Sequence, residues 1–156
     1  MTTNNAINSS FVGMLGTTTN DNAAAGTVGE YISGILLIGS GMHLTSASAK
    51  TIFSISLTAG DWEGSANLVF DASAGGTATI FGAGISTSTN TMPAAGAQNN
   101  STILNAAFTA NLGASLCVGS MRLSLASTTP VYLIGTCTYT GTLISGYGFM
   151  GFRRMR

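Results

Sequence analysis

From Gly26 to Arg156, short apolar stretches alternate with Gly, Ser, Thr, Asn and Asp at spacings near ten residues. Within the stretches the hydrophobic period is two rather than 3.6, because successive side chains of an extended strand point to opposite faces. In Asp61-Trp62-Glu63-Gly64-Ser65-Ala66-Asn67-Leu68-Val69-Phe70, residues Trp62, Ala66, Leu68 and Phe70 fall on one face, with Glu63, Ser65 and Asn67 on the other. This is the pattern of a strand with one buried face. Thr51, Phe53, Ile55 and Leu57 repeat it upstream, and Ala59-Gly60-Asp61 between the two runs has turn chemistry. Strands 51–57 and 61–70 are therefore expected to pair as a hairpin. Further strands are predicted at 28–38, 42–48, 77–86, 102–109, 115–125, 131–140 and 143–153, about nine in all. No stretch supports a long helix, and the expected fold is an all-β sandwich or barrel.

A chain of 156 residues suits one domain with one core. Only 6% of the residues are charged, against about 25% in a typical soluble domain. With 45% hydrophobic residues and zero formal net charge, the composition argues against disorder and offers no basic field for nucleic acid. A hydrophobic chain with so few charges carries faces that a free monomer struggles to keep in solution, so self-association about a cyclic axis is expected. The start, Met1-Thr2-Thr3-Asn4-Asn5, has no cationic and apolar leader pattern. The longest aliphatic run, Ile35-Leu36-Leu37-Ile38, falls far short of the ~20 residues of a membrane span. The expectation is a soluble, unexported chain without membrane insertion.

The chain is expected to divide into an extended N-terminal arm, 1–26, and a β-sandwich domain, 27–156. The arm is Thr, Asn, Ser and Ala around one apolar group, Phe11, Val12, Met14 and Leu15, with neither strand nor helix period. It is read either as a tail that orders on meeting a partner or as a docking arm. The apolar group favours docking and supplies the candidate anchoring residues. Segment 87–101 reads as an exposed loop at one end of the sandwich, or as a plain crossover between sheets.

The chemistry-bearing residues are sparse. His43 is the sole histidine. It alternates with Met42 and Leu44, which places it on a polar face as a surface or subunit-contact residue. Asp61 and Glu63 share one strand face and could in principle serve acid–base chemistry. The plainer reading gives Asp61 to a turn and Glu63 to solvent or a neighbouring subunit. If 115–125 and 131–140 form a hairpin around Ser127, Cys117 faces Cys137, as two buried thiols in a reducing compartment rather than a disulfide. One histidine and two distant cysteines give no metal constellation. Gly82-Ala83-Gly84 has no following helix or lysine to make a phosphate cradle, and reads as a strand patch where backbones pack closely. Arg153, Arg154 and Arg156 concentrate three of the five cations at the end of the sequence. They are either solvated or candidate subunit contacts, a role that guanidinium geometry suits. No catalytic residue and no cofactor is expected.

Four segments together resemble a group of tailed-bacteriophage structural proteins. They are Ile55-Ser56-Leu57-Thr58-Ala59-Gly60-Asp61-Trp62-Glu63, Gly84-Ile85-Ser86-Thr87, Met121-Arg122-Leu123-Ser124-Leu125, and Tyr147-Gly148-Phe149-Met150-Gly151-Phe152-Arg153-Arg154. That group carries a strand ending in Gly-Asp-Trp and a closing Tyr-Gly-x-x-x-x-Arg-Arg, and the resemblance covers roughly residues 26–156. It is similar there to the globular C-terminal part of tail fibres and to small virion surface proteins. The resemblance implies a jelly-roll-like β-sandwich of about eight or nine strands, assembled as a homotrimer. The expected function is non-enzymatic: a capsid decoration or cement protein, made in the host cytoplasm and placed on the virion surface. Its partners would be itself and the major capsid protein or another virion component. The alternative is a tail-fibre tip that recognises a receptor on the bacterial surface.

Overall fold

The computed structural model of the chain describes residues 21–72, 77–96, 100–108, 113–141 and 143–156. Among the described residues there are nine strands: β1 (Tyr31–Leu36), β2 (Met42–His43), β3 (Lys50–Leu57), β4 (Gly60–Ala72), β5 (Thr77–Ser86), β6 (Ser101–Phe108), β7 (Ala114–Leu125), β8 (Thr129–Thr140) and β9 (Ile144–Arg154). Sheet A has the order β1-β9-β4-β7, with β2 also on β9, and sheet B has the order β3-β8-β5-β6. Every pairing is antiparallel. The pairs are nested: β5 with β6, β4 with β7, β3 with β8, and β2 with β9. A long hairpin rolled over on itself gives this connectivity, which is that of a jelly roll.

Nesting explains where the sequence reading failed. Strands 51–57 and 61–70 do not pair. They lie in opposite sheets as β3 and β4, and the segment between them turns a corner of the sandwich. Strands β7 and β8 are likewise split between the sheets, so Cys117 does not face Cys137. Cys117 is exposed and Cys137 buried, both as free thiols; burial pushes the Cys137 thiol up to about 11. The strand expected over 42–48 stops at His43, since Ala47 takes a left-handed φ of 61° and Ser46 turns to bond the backbone of Tyr139. The one expected over 28–38 ends at Leu36, before a single 3-10 turn at Ile38–Ser40.

The inner faces interdigitate as the alternation requires. Trp62, Leu68 and Phe70 of β4 are buried with Phe81 and Ile85 of β5, Leu133 of β8, and Met150 and Phe152 of β9. Phe70 and Phe81 meet edge to face across the sheets, with centroids 5.1 Å apart. In β7 the phase changes midway. Leu116 and Val118 point inward, then Met121 does, because one extra residue opposite Gly64 to Ala66 makes a β-bulge. The bulge leaves Ser120 on the outer face beside Glu63.

Segment 87–96 folds back against sheet B. Thr87 to Thr91 are exposed, while Met92 and Pro93 are half-buried on β5. They fit because Gly82 and Gly84 have no side chain: a Cβ on Gly84 would lie 2.7 Å from Pro93 and 2.8 Å from the Met92 sulfur. Gly82-Ala83-Gly84 thus lies in a strand as read, but what packs closely on it is side chains rather than backbone: Pro93 and Met92 of the loop on Gly84, and Thr136 of β8 on Gly82. Asn90, in the left-handed region at φ 50°, accepts from the Thr51 amide at 2.8 Å and donates its own amide to the Thr51 hydroxyl at 2.9 Å.

Candidate functional site

Four of the five cations gather at one end of sheet A. Arg154 leaves the inner face of β9 and is only 5% exposed. Its Nε donates to Glu30 Oε2 at 2.9 Å, Nη1 to the Ala59 carbonyl at 2.8 Å, and Nη2 to the Thr58 hydroxyl. The guanidinium lies 4.3 Å from the centroid of the Trp62 ring, and Trp62 Nε1 donates to the Thr58 carbonyl at 2.9 Å. One planar fork thus ties β9, the β3–β4 corner and the segment before β1, a geometry that lysine's point charge cannot reproduce. The Gly29 amide on the Arg154 carbonyl and the Arg154 amide on the Glu30 carbonyl extend the ladder beyond β1. Gly60 sits against the same guanidinium at φ +145°, where a Cβ would overlap Arg154 Nη1.

On the outer side of the same strand end, both oxygens of Asp61 are held by Arg122, at 2.6 and 2.8 Å. Arg156 Nε adds a third contact at 2.9 Å. Arg122 and Arg156 are themselves largely exposed and roof the buried carboxylate. Glu63 is exposed and accepts from Ser120 at 2.5 Å, and Arg153 lies over the ring of Tyr31, 5.8 Å from its centroid.

The bonds from Gly26 and Arg154 hold the Glu30 carboxyl below its ordinary 4.5, and the Arg122 hydrogen bond holds Asp61 below its ordinary 3.8. Each depressed value contributes stability that is present above the ordinary pKa and is lost as pH falls through the folded-state value. The thermal midpoint is therefore expected to fall on acidification, beginning near pH 4.5 and steepening below 3.8. Asp61→Asn should flatten the lower part of that profile. A midpoint that stays level through this range in the unaltered protein would show that the two carboxylates do not hold the fold.

Arg154 was a candidate subunit contact by sequence, and this is corrected: its donors are used inside its own chain, because Glu30, Thr58 and Ala59 converge on it. Arg153 remains exposed on the outer face. The anchor candidates Phe11, Val12, Met14 and Leu15 lie outside the described residues. Asp61, clamped as an anion, is unsuited to the raised-pKa acid that carboxylate-pair chemistry needs. His43 is exposed on β2, with Nδ1 2.9 Å from the Ser145 hydroxyl. Among the described residues no group of three His, Cys, Asp or Glu could hold a metal ion, and no helix is long and apolar enough to cross a membrane.

One part of the outer face of sheet A, around β1 and β9, is apolar. Ile35 of β1 stands opposite Phe149 of β9, Phe149 opposite Asn67, and Tyr147 opposite Val69. Leu37 and Ile38 continue the row past the end of β1. Ile35, Leu37 and Ile38 are 64%, 63% and 61% exposed. Together these residues line a shallow groove of about 440 Å³. Sequence reasoning placed 35–38 at the end of the predicted strand 28–38 and weighed it as a membrane span, but missed its partners on β4 and β9. It also missed Glu30 and Arg122 as ion-pair residues.

No family model matches the chain, and no curated protein matches it. Solved structures similar to it include that of infectious bursal disease virus Gx strain, at 12% identity and a TM-score of 0.48 over 92% of this chain and 37% of that one. The T13 infectious bursal disease virus particle gives 12% identity and 0.48 over 92% and 36%. T=1 particles derived from a mutant VP2 protein of that virus give 14% and 0.42 over 80% and 29%. This chain thus spans between 29% and 37% of the length of those proteins.

Proposed function

We propose that this chain is a non-enzymatic virion structural protein, a homotrimeric capsid decoration or cement protein of a bacteriophage. In this reading the outer face of sheet A packs against other copies, while Phe11, Val12, Met14 and Leu15 anchor it to the major capsid protein or another virion component. The observation that carries it is the row of exposed Ile35, Leu37, Ile38 and Phe149 with half-buried Val69 and Tyr147 beside them. A row of this kind on a chain with so few charges is what an assembling surface requires. The clamp adds support from the motif side, since the Gly60-Asp61-Trp62 and Arg153-Arg154 residues of the phage-protein resemblance meet at one end of sheet A. Arg153 and Arg156, at the rim of this face, would contribute polar subunit contacts.

The test is imaging of intact particles carrying the labelled protein, together with its mass in solution. Label over the capsid lattice and a trimeric mass are the expected results. A Phe149→Asp, Ile35→Asp double change should reduce the mass to that of one chain while the β-sheet circular dichroism persists. A monomeric mass for the unaltered protein would overturn the assembly reading. A second reading, a tail-fibre tip, is favoured by one observation: the exposed Thr87 to Thr91 tract is held in a fixed path by Asn90 and Thr51. It predicts label confined to the tail, and protein that blocks adsorption to host cells.

A further inference from the structure

One row of residues crosses the outer face of sheet A near the Arg154 clamp. In it Tyr31 stands opposite Arg153, Arg153 opposite Glu63, and Glu63 opposite Arg122. Opposite charges that face each other across an antiparallel pair ordinarily bond. Glu63 has an arginine on either side and bonds neither. Arg122 is turned onto Asp61. Arg153 leans the other way, over the ring of Tyr31, and that ring is seated on Gly151, where a Cβ would overlap the Tyr31 hydroxyl. Glu63 instead accepts from Ser120, which the β7 bulge brings beside it. Arg153 and Glu63 are both exposed, and among the described residues neither has an ion-pair partner. Between them lies a depression of about 250 Å³ lined also by Gly64, Ser65 and Met155. Stacking occupies the flat face of a guanidinium and leaves its N–H fork free. The Ser120 bond takes one oxygen of Glu63 and leaves the other.

We infer that Arg153 of one copy forms an ion pair with Glu63 of the adjoining copy when the chain assembles. The inference rests on the proposed function and names the polar part of that contact. A closed ring of identical chains joins each copy to the next through two different patches. The row is divided in this way, because the cation is turned to the β1 side of the face and the anion to the β7 side. With one free charge of each sign, the face is complementary to a copy of itself rather than to a surface of uniform charge. Each charge is also held in place beforehand, by a ring on one side and a hydroxyl on the other, so less side-chain freedom is lost on contact. Phe149 of the apolar groove projects from the same face of β9 as Arg153. One contact can therefore cover both, and an ion pair sealed beside apolar side chains is stronger than one left in water.

Charge reversal in the full chain tests this, with self-association followed by sedimentation. Arg153→Glu and Glu63→Arg are each expected to raise the dissociation constant of the assembly at least about tenfold, since like charges then meet across the contact. Circular dichroism should show the same β-sheet in every variant, because both side chains are exposed. The double reversal should restore association. An equimolar mixture of the two single variants should associate more tightly than either alone, because each then meets the opposite charge on the other. Restoration in the double variant without rescue in the mixture would overturn the inference, by showing that the pair acts within one chain. So would an assembled protein that neither reversal weakens, a result that leaves the proposed assembly standing. An unaltered protein that stays a single chain would overturn both.

Discussion

Replacing Arg154 with methionine is expected to destabilise the fold by about 3–5 kcal/mol, the cost of leaving one member of a buried ion pair without the other. Methionine keeps much of the aliphatic stem, so packing changes little. What is lost is the charge opposite Glu30, which is only 6% exposed, and the donors to the Ala59 carbonyl and the Thr58 hydroxyl. The Glu30 carboxylate, buried and left unpaired, carries its full desolvation cost, whereas Thr58 and Ala59 are exposed and can turn to water. Arg154→Lys should lose an intermediate amount, because an ammonium cannot reach three partners on two segments at once. Denaturant unfolding followed by circular dichroism checks both, with the midpoint shifting and the slope constant. A cost under about 1 kcal/mol for the methionine variant would place Arg154 with ordinary surface pairs.

Truncating Trp62 to alanine is expected to cost a similar about 3–5 kcal/mol, by lost transfer free energy and the cavity left behind. The indole is fully buried at the closed end of the sandwich. It also bonds the Thr58 carbonyl and underlies the Arg154 guanidinium. The two residues share Thr58 and each other, so the double variant Trp62→Ala, Arg154→Met should lose clearly less than the sum of the single losses. Strict additivity would mean that ring and guanidinium contribute independently, and that their 4.3 Å approach carries no coupling. Because Trp62 is the sole tryptophan, circular dichroism rather than fluorescence must report the unfolding.

What the sequence disclosed was periodicity. Trp62, Ala66, Leu68 and Phe70 are buried on one face, as read, because a side-chain period of two is a local property of any strand. Partner choice is not local. The hairpin reading for 51–57 with 61–70 followed the common rule that consecutive strands lie together, whereas the nested topology sends them to opposite sheets. The β7 bulge did leave a trace, in the phase break at Gly119-Ser120 between Val118 and Met121. The site was less legible. Glu30 and Arg154 lie 124 residues apart, and Asp61 and Arg122 lie 61 apart, so no spacing joins them. Only the resemblance drew Gly60-Asp61-Trp62 and Arg153-Arg154 into one list. The apolar groove is drawn from β1, β4 and β9, adjacent solely because β9 inserts between the other two.

That insertion sets the order of events during synthesis. β1 and β4 are made early, yet each takes β9 as a hydrogen-bonded neighbour, so on the ribosome sheet A stays split until β9 emerges. Sheet B, by contrast, can zip outward from the local β5–β6 hairpin and gain β8 before β9 exists. Long-range pairing of this kind is slow and leaves strand edges open in the interim. The delay also has a protective side: Tyr147 and Phe149 reside on β9 itself. The groove cannot form before β9 is made, so under the proposed assembly the surface that would join nascent copies is absent until then.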